Sequence, residues 1–214
     1  MGNELSESKI MQALDWAYDK SINGFSGVDS AKDLARDYSK DGGTLIDNIN
    51  SLIRWQNTKA ATSGFIMGIG GIATMPIAVP ANIASVLFVQ VRMVAAIAIM
   101  SGHDVHDDRV KTLVYACLAY NSVGDALKDA GVVIGTKMAT KAIEKQITGN
   151  AIKAINNRVG FKLVTKFGEK GVINLGKLVP VLGGVIGGSI DLAATNTIGN
   201  VARDAFATDY MYQT

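Results

Sequence analysis

The stretch GFIMGIGGIATMPIAVPAN, Gly64 through Asn82, lies inside a run of 32 residues between Lys59 and Arg92 that carries no charge. A run of that length has to be hidden from water, either in a bilayer or among packed helices. Glycines at 64, 68, 70 and 71 place small residues on neighbouring helical turns and favour close helix contact. Pro76 removes a backbone donor, and Pro80 suits the first turn of a new helix running through Ile83, Leu87, Val91, Val94, Ile97 and Met100 to Gly102.

That helix is long enough to span a membrane, but Arg92 stands near its middle. A central arginine costs about 2.5 to 3.5 kcal/mol on insertion scales, against about 0.3 to 0.6 returned by each Leu, Ile or Val. The balance favours a buried helix over a span. Asn82, Ser85 and Arg92 share one stripe at helical spacing, while Gln90 faces nearly the opposite way. Asn82, Gln90 and Arg92 are therefore the candidates for an internal polar contact or a ligand site.

Outward from this block, apolar positions recur at helical period and no strand alternation persists. Helices are expected from 4 to about 22, from a cap at Asp29 or Ser30 through Tyr38, and from Thr44 to about Thr62. In the third of these, Leu45, Ile49, Leu52 and Trp55 are expected to pack inward. Asp107 or Asp108 caps a helix containing Cys117, and Ser122 opens a short one ending at Gly131. Further helices are expected near 132–148, 150–158 and 159–167, and a last one ends near Phe206 after a second glycine block at 183–188. The fold class is all-α: a glycine-rich multi-helix bundle, with residues 1–214 forming one domain.

Composition sets the remaining bounds. Hydrophobic residues make up 48% of 214, charged residues 19%, and mean hydropathy is +0.21, on the border between soluble and membrane-associated chains. Cys117, the single cysteine, permits no intrachain disulfide and reads as a small core residue. Residues 1–9 lack a basic segment followed by an apolar one, so the expectation is an intracellular protein. The net charge of +2 conceals a division: residues 1–50 hold nine acids against five bases, and residues 128–177 ten bases against three acids. Lys137, Lys141 and Lys145 form one i, i+4 row, and Lys162, Lys166 and Lys170 another. A solvated helix face accounts for such rows, but Ile134 and Met138 fall on the lysine side of the first, a mixture that suits a lipid interface.

Motifs for chemistry are few. HDVHDD, His103 to Asp108, gathers two imidazoles and three carboxylates in six residues, the donor types of a zinc site. A solvated loop with Asp caps explains it more simply; His103, His106 and Asp107 are only weak metal candidates and no metal is assigned. Gly68 to Ala73 fits G-x-G-x-x-A on paper, but no strand precedes it and Pro76 interrupts the helix that should follow. There is no phosphate-binding loop and no nucleophile elbow, so no cofactor is called for. Sparse aromatic residues in the basic segment argue against nucleic acid.

GFIMGIGG at 64–71, MPIAVPAN at 75–82, QVRM at 90–93, AIA at 96–98, GHD at 102–104, LVYACL at 113–118, Asn156, VGFKLVTKFGEKGVINLGK at 159–177, Pro180 and the glycines of 183–188 together resemble the EcsC family. The resemblance spans about Ile10 to Phe206. It implies a bacterial helical protein whose founding member is encoded beside an ABC transporter, with no agreed biochemical activity. His103 and His106 depart from the family pattern. The expected role is that of an accessory or regulatory protein at the cytoplasmic face of the inner membrane, meeting an anionic membrane surface or a membrane protein, with self-association left open. The competing classes are an enzyme or small-ligand protein acting through Arg92 and the 103–108 loop, and an integral pore-like protein.

Overall fold

The computed structural model describes residues 5–24, 27–40, 42–61, 79–132, 144–167 and 185–207, with side chains described outside 57–61, 81–82 and 185–193. The glycine block at 64–71, Gly183 and Gly184 of the second block, and the body of the helix expected over 132–148 lie outside this set, as do Lys137, Lys141 and Lys170, whereas Gly187 and Gly188 fall in the first turn of the last helix. Eight helices and no strand occur among the described residues. They are α1 (Glu7–Asn23), α2 (Ala31–Ser39), α3 (Leu45–Ala61), α4 (Ala81–Met100), α5 (Asp108–Ala119), α6 (Val123–Asp129), α7 (Gly149–Phe167) and α8 (Val185–Phe206).

The starts of the helices follow from short polar side chains. Ser30 caps α2 in a complete capping box: its hydroxyl accepts from Asp33 N at 3.1 Å, and Asp33 Oδ2 accepts from Ser30 N at 3.3 Å. Asp107 and Ser122 cap α5 and α6 by the same chemistry.

Helix α4 is the centre. Its apolar residues surround the helix almost completely, so it needs neighbours on every side, and α1, α2, α3, α5 and α8 all pack against it. Ile83–Met100 is long and apolar enough to cross a membrane, and 83% of that window is buried inside the bundle. Buried residues from every helix join one apolar core. Helix α7 touches α1, α5 and α6 and forms an outer layer.

Two expectations are corrected. Trp55 is 54% exposed, because the inward face of α3 is Ile49, Leu52, Ile53 and Gln56, an i, i+3, i+4, i+7 stripe that turns Trp55 out. The helices expected at 150–158 and 159–167 are one continuous helix, α7. Gly160, within this continuous helix, serves as a contact: a Cβ there would lie 3.2 Å from Met11 Cγ of α1, so glycine lets two helices approach without ending either.

Candidate functional site

Arg92 is 4% exposed and acts inside the fold. Its Nη1 donates to the backbone carbonyl of Asp29 at 3.2 Å, and its guanidinium lies 5.4 Å from the Phe88 ring centre. Burial draws its pKa below the usual arginine value, with Asp29 and Tyr38 acting in the opposite direction. Arginine remains charged even so. The residue thus ties the middle of α4 to the entry of α2. Gln90 is 2% exposed, and its Oε1 has no hydrogen-bond partner. Gln56 of α3 is 1% exposed, and neither amide atom is bonded among the described residues. The side chain of Asn82 lies outside the described residues.

The 103–108 loop is separate from Arg92. Eight residues of helical rise, about 12 Å, stand between Arg92 and the end of α4 at Met100, beyond which the loop begins. Gly102, at φ +76°, ends α4: its N–H donates to Ile99 O at 2.9 Å and His103 N–H to Ala98 O at 3.0 Å. This paired pattern is a Schellman stop, and it turns His103 back onto the bundle. His103 Nδ1 lies 2.6 Å from Glu144 Oε1 and Nε2 lies 3.0 Å from the carbonyl of Phe206. A carbonyl only accepts, so Nε2 carries a hydrogen; a second proton between Nδ1 and the carboxyl completes the pair. His103 thereby joins the end of α4, the turn before α7 and the end of α8.

Its loop neighbours go elsewhere. Asp107 caps α5 and binds the Arg109 guanidinium; the side-chain bond from Arg109 holds its carboxyl below the usual range. His106 faces a surface groove of about 250 Å³ between α1 and α5, whose walls include Asp15, Asp19, Asp108 and Lys111. Tyr18 OH donates to Val105 O at 2.7 Å and fixes the loop to α1. Asp15 receives Tyr115 OH at 2.8 Å and Lys111 Nζ at 2.7 Å. Burial pushes the Tyr18 and Tyr115 phenols up, and the Cys117 thiol likewise; each stays neutral and none is a ready nucleophile. His103, His106 and Asp107 point to different partners, and among the described residues no group of three His, Cys, Asp or Glu side chains comes close enough to hold a metal ion.

Of the six lysines in the two rows, the structure describes Lys145, Lys162 and Lys166. Lys145 is exposed in the turn before α7. Lys162 Nζ stands 4.5 Å from the Tyr120 ring centre, and Lys166 Nζ donates to Leu118 O at 3.4 Å. Both lie on the flank of α7 that borders α5 and α6. The outward face contains Lys153, Asn157, Arg158, Phe161 and Thr165, all exposed, and Phe161 is 61% exposed. Sequence reasoning missed Phe161 because a break near 158 removes it from the stripe of Asn150, Ala154, Asn157 and Thr165. Treating 149–167 as one helix recovers it.

The chain matches the model of the EcsC protein family over residues 28–209. It matches no curated protein and no solved structure.

Proposed function

The chain belongs to the EcsC protein family, and from that premise we propose that it is an accessory or regulatory protein held at the cytoplasmic membrane surface. The observation that carries this reading is a helix whose charged side chains are all basic. Elsewhere the exposed charge is mixed: Asp15 and Asp19 on α1, Asp29 and Asp37 beside and on α2, Asp104 in the loop after α4 and Asp108 at the start of α5 are exposed together with Lys32, Arg36 and Lys40. Helix α7 has no acidic residue in its 19 positions and carries Lys153, Arg158, Lys162 and Lys166. A basic helix of this kind is drawn to anionic lipid by about 1 kcal/mol for each base that nears it, and the attraction weakens as salt shortens the Debye length.

Flotation of the full chain with phosphatidylglycerol-containing vesicles tests the reading. Binding at low salt that is released at high salt supports it. Binding that resists salt and carbonate indicates insertion instead, and absence of binding at low salt overturns it.

A further inference from the structure

We infer that α7 is the element that meets the lipid, lying flat with Phe161 seated in the headgroup layer and Lys153 and Arg158 beside it; this rests on the membrane reading above. Phe161 and Trp55 are the exposed large apolar side chains among the described residues. Only Phe161 stands on a helix free of acids. Its ring lies at the centre of the outward stripe, between the amides of Asn150 and Asn157 on one side and Thr165 on the other, with half-buried Val164 adjoining. Among the described residues, acids stand at the margins of this face: Asp129 Oδ2 lies 3.9 Å from Arg158 Nη1, and Glu7 Cβ lies beside Gly160.

The shape favours a planar surface over a protein partner. At 19 residues, α7 is about 28 Å long and presents a single convex helix face. A stable protein interface needs about 800 Å² from each partner, with a packed apolar centre, and one ring among amides and cations does not supply that. An amphipathic helix with a charged flank and an aromatic residue is built for the boundary between headgroups and acyl chains. The opposite face of α7 holds Ala151, Ile155, Val159 and Leu163 in the core, so the helix binds without leaving the fold. Lys162 and Lys166 contribute from the side, since they are engaged with Tyr120 and Leu118.

The test uses the full chain and vesicles of phosphatidylcholine with or without phosphatidylglycerol. Phe161→Ala is expected to weaken partition into anionic vesicles about tenfold, Lys153→Glu with Arg158→Glu at least about thirtyfold at low salt, and Trp55→Ala not at all. A Phe161→Cys variant gives a second readout: Cys117 is fully buried, so an environment-sensitive fluorophore attached at position 161 reports that site alone. Quenching of the label by nitroxide lipid supports the inference. Wild-type binding that persists in Phe161→Ala with an unquenched label overturns the inference and leaves the membrane reading standing. Failure of the wild type to bind overturns both, and equal binding to vesicles lacking phosphatidylglycerol overturns the role of Lys153 and Arg158.

Discussion

His103 and Glu144, 41 positions apart, meet at 2.6 Å with the imidazole side chain only 1% exposed. The contact joins two segments that α4 and α7 each carry away from one another, and the other ring nitrogen reaches the last residue of α8. His103→Phe fills the volume but supplies no donor. Loss of about 2 to 4 kcal/mol in urea unfolding is expected, and a change within 0.5 kcal/mol, about the range of an ordinary surface substitution, would show that the bonds carry no net stability.

Arg92 separates a structural role from a ligand role. Met at this position preserves length and apolar packing without a buried charge, so Arg92→Met is expected to fall within about 1 kcal/mol of wild type. Arg92→Ala also opens a cavity and is expected to lose about 2 to 4 kcal/mol. Thermal melts of both variants decide the matter, and equal large losses would mean that the bond to Asp29 O, rather than packing, holds the helix.

Gly199 and Ile53 define how closely α8 approaches α3. A Cβ on residue 199 would sit 2.7 Å from Ile53 Cγ1 and 2.9 Å from Cγ2, distances that real Cβ atoms do not show. Gly199→Ala is expected to destabilise by about 1 to 3 kcal/mol. Ile53→Ala combined with it is expected to recover part of the loss, giving a coupling of about 1 kcal/mol in a double-mutant cycle. Strict additivity would mean that the helices shift apart.

Gln56 buries an amide whose two polar atoms have no hydrogen-bond partner among the described residues. Exchanging it for an apolar side chain of similar length removes a desolvation cost without breaking a bond, so Gln56→Met is expected to stabilise by about 1 kcal/mol. Destabilisation, measured by the same unfolding curves, would point to a bridging water at this position.

Asp33 governs part of the acid limb of stability. Hydrogen bonds from Ser30 lower its folded pKa below the ordinary value, which is near 3.9 in model peptides. A carboxylate with a depressed folded pKa contributes stability that is fully present above its unfolded pKa and is lost as pH falls through the folded one. Stability is therefore expected to drop below about pH 4, and Ser30→Ala to make that drop shallower. An unchanged acid limb in Ser30→Ala would assign it to other carboxylates.

Much of the architecture was legible because its causes are local. Ser30, Asp107 and Ser122 mark helix starts wherever they precede an apolar period, since the cap bond spans only two or three residues. Arg92 inside an apolar helix argued for burial by free energy alone, and α4 is the enclosed helix. The candidate residues were less legible. His103 and Asp107 looked like partners in one loop, but the Gly102 stop turns His103 inward while Asp107 stays with α5. The boundary expected between 158 and 159 is absent, and Gly160 beside it makes a contact that depends on Met11, which lies far away in the chain.

The sequence by itself determined the helical class, the family resemblance and the unequal distribution of charge, because period, motif and composition are properties of the chain before it folds. Tertiary packing alone decided which polar groups face one another and which face of each helix stays wet. It placed Glu144 and Phe206 on the two nitrogens of His103, turned Trp55 outward, and left Phe161 exposed on a helix without acids. Such pairings depend on where remote helices come to rest, and no local spacing encodes that.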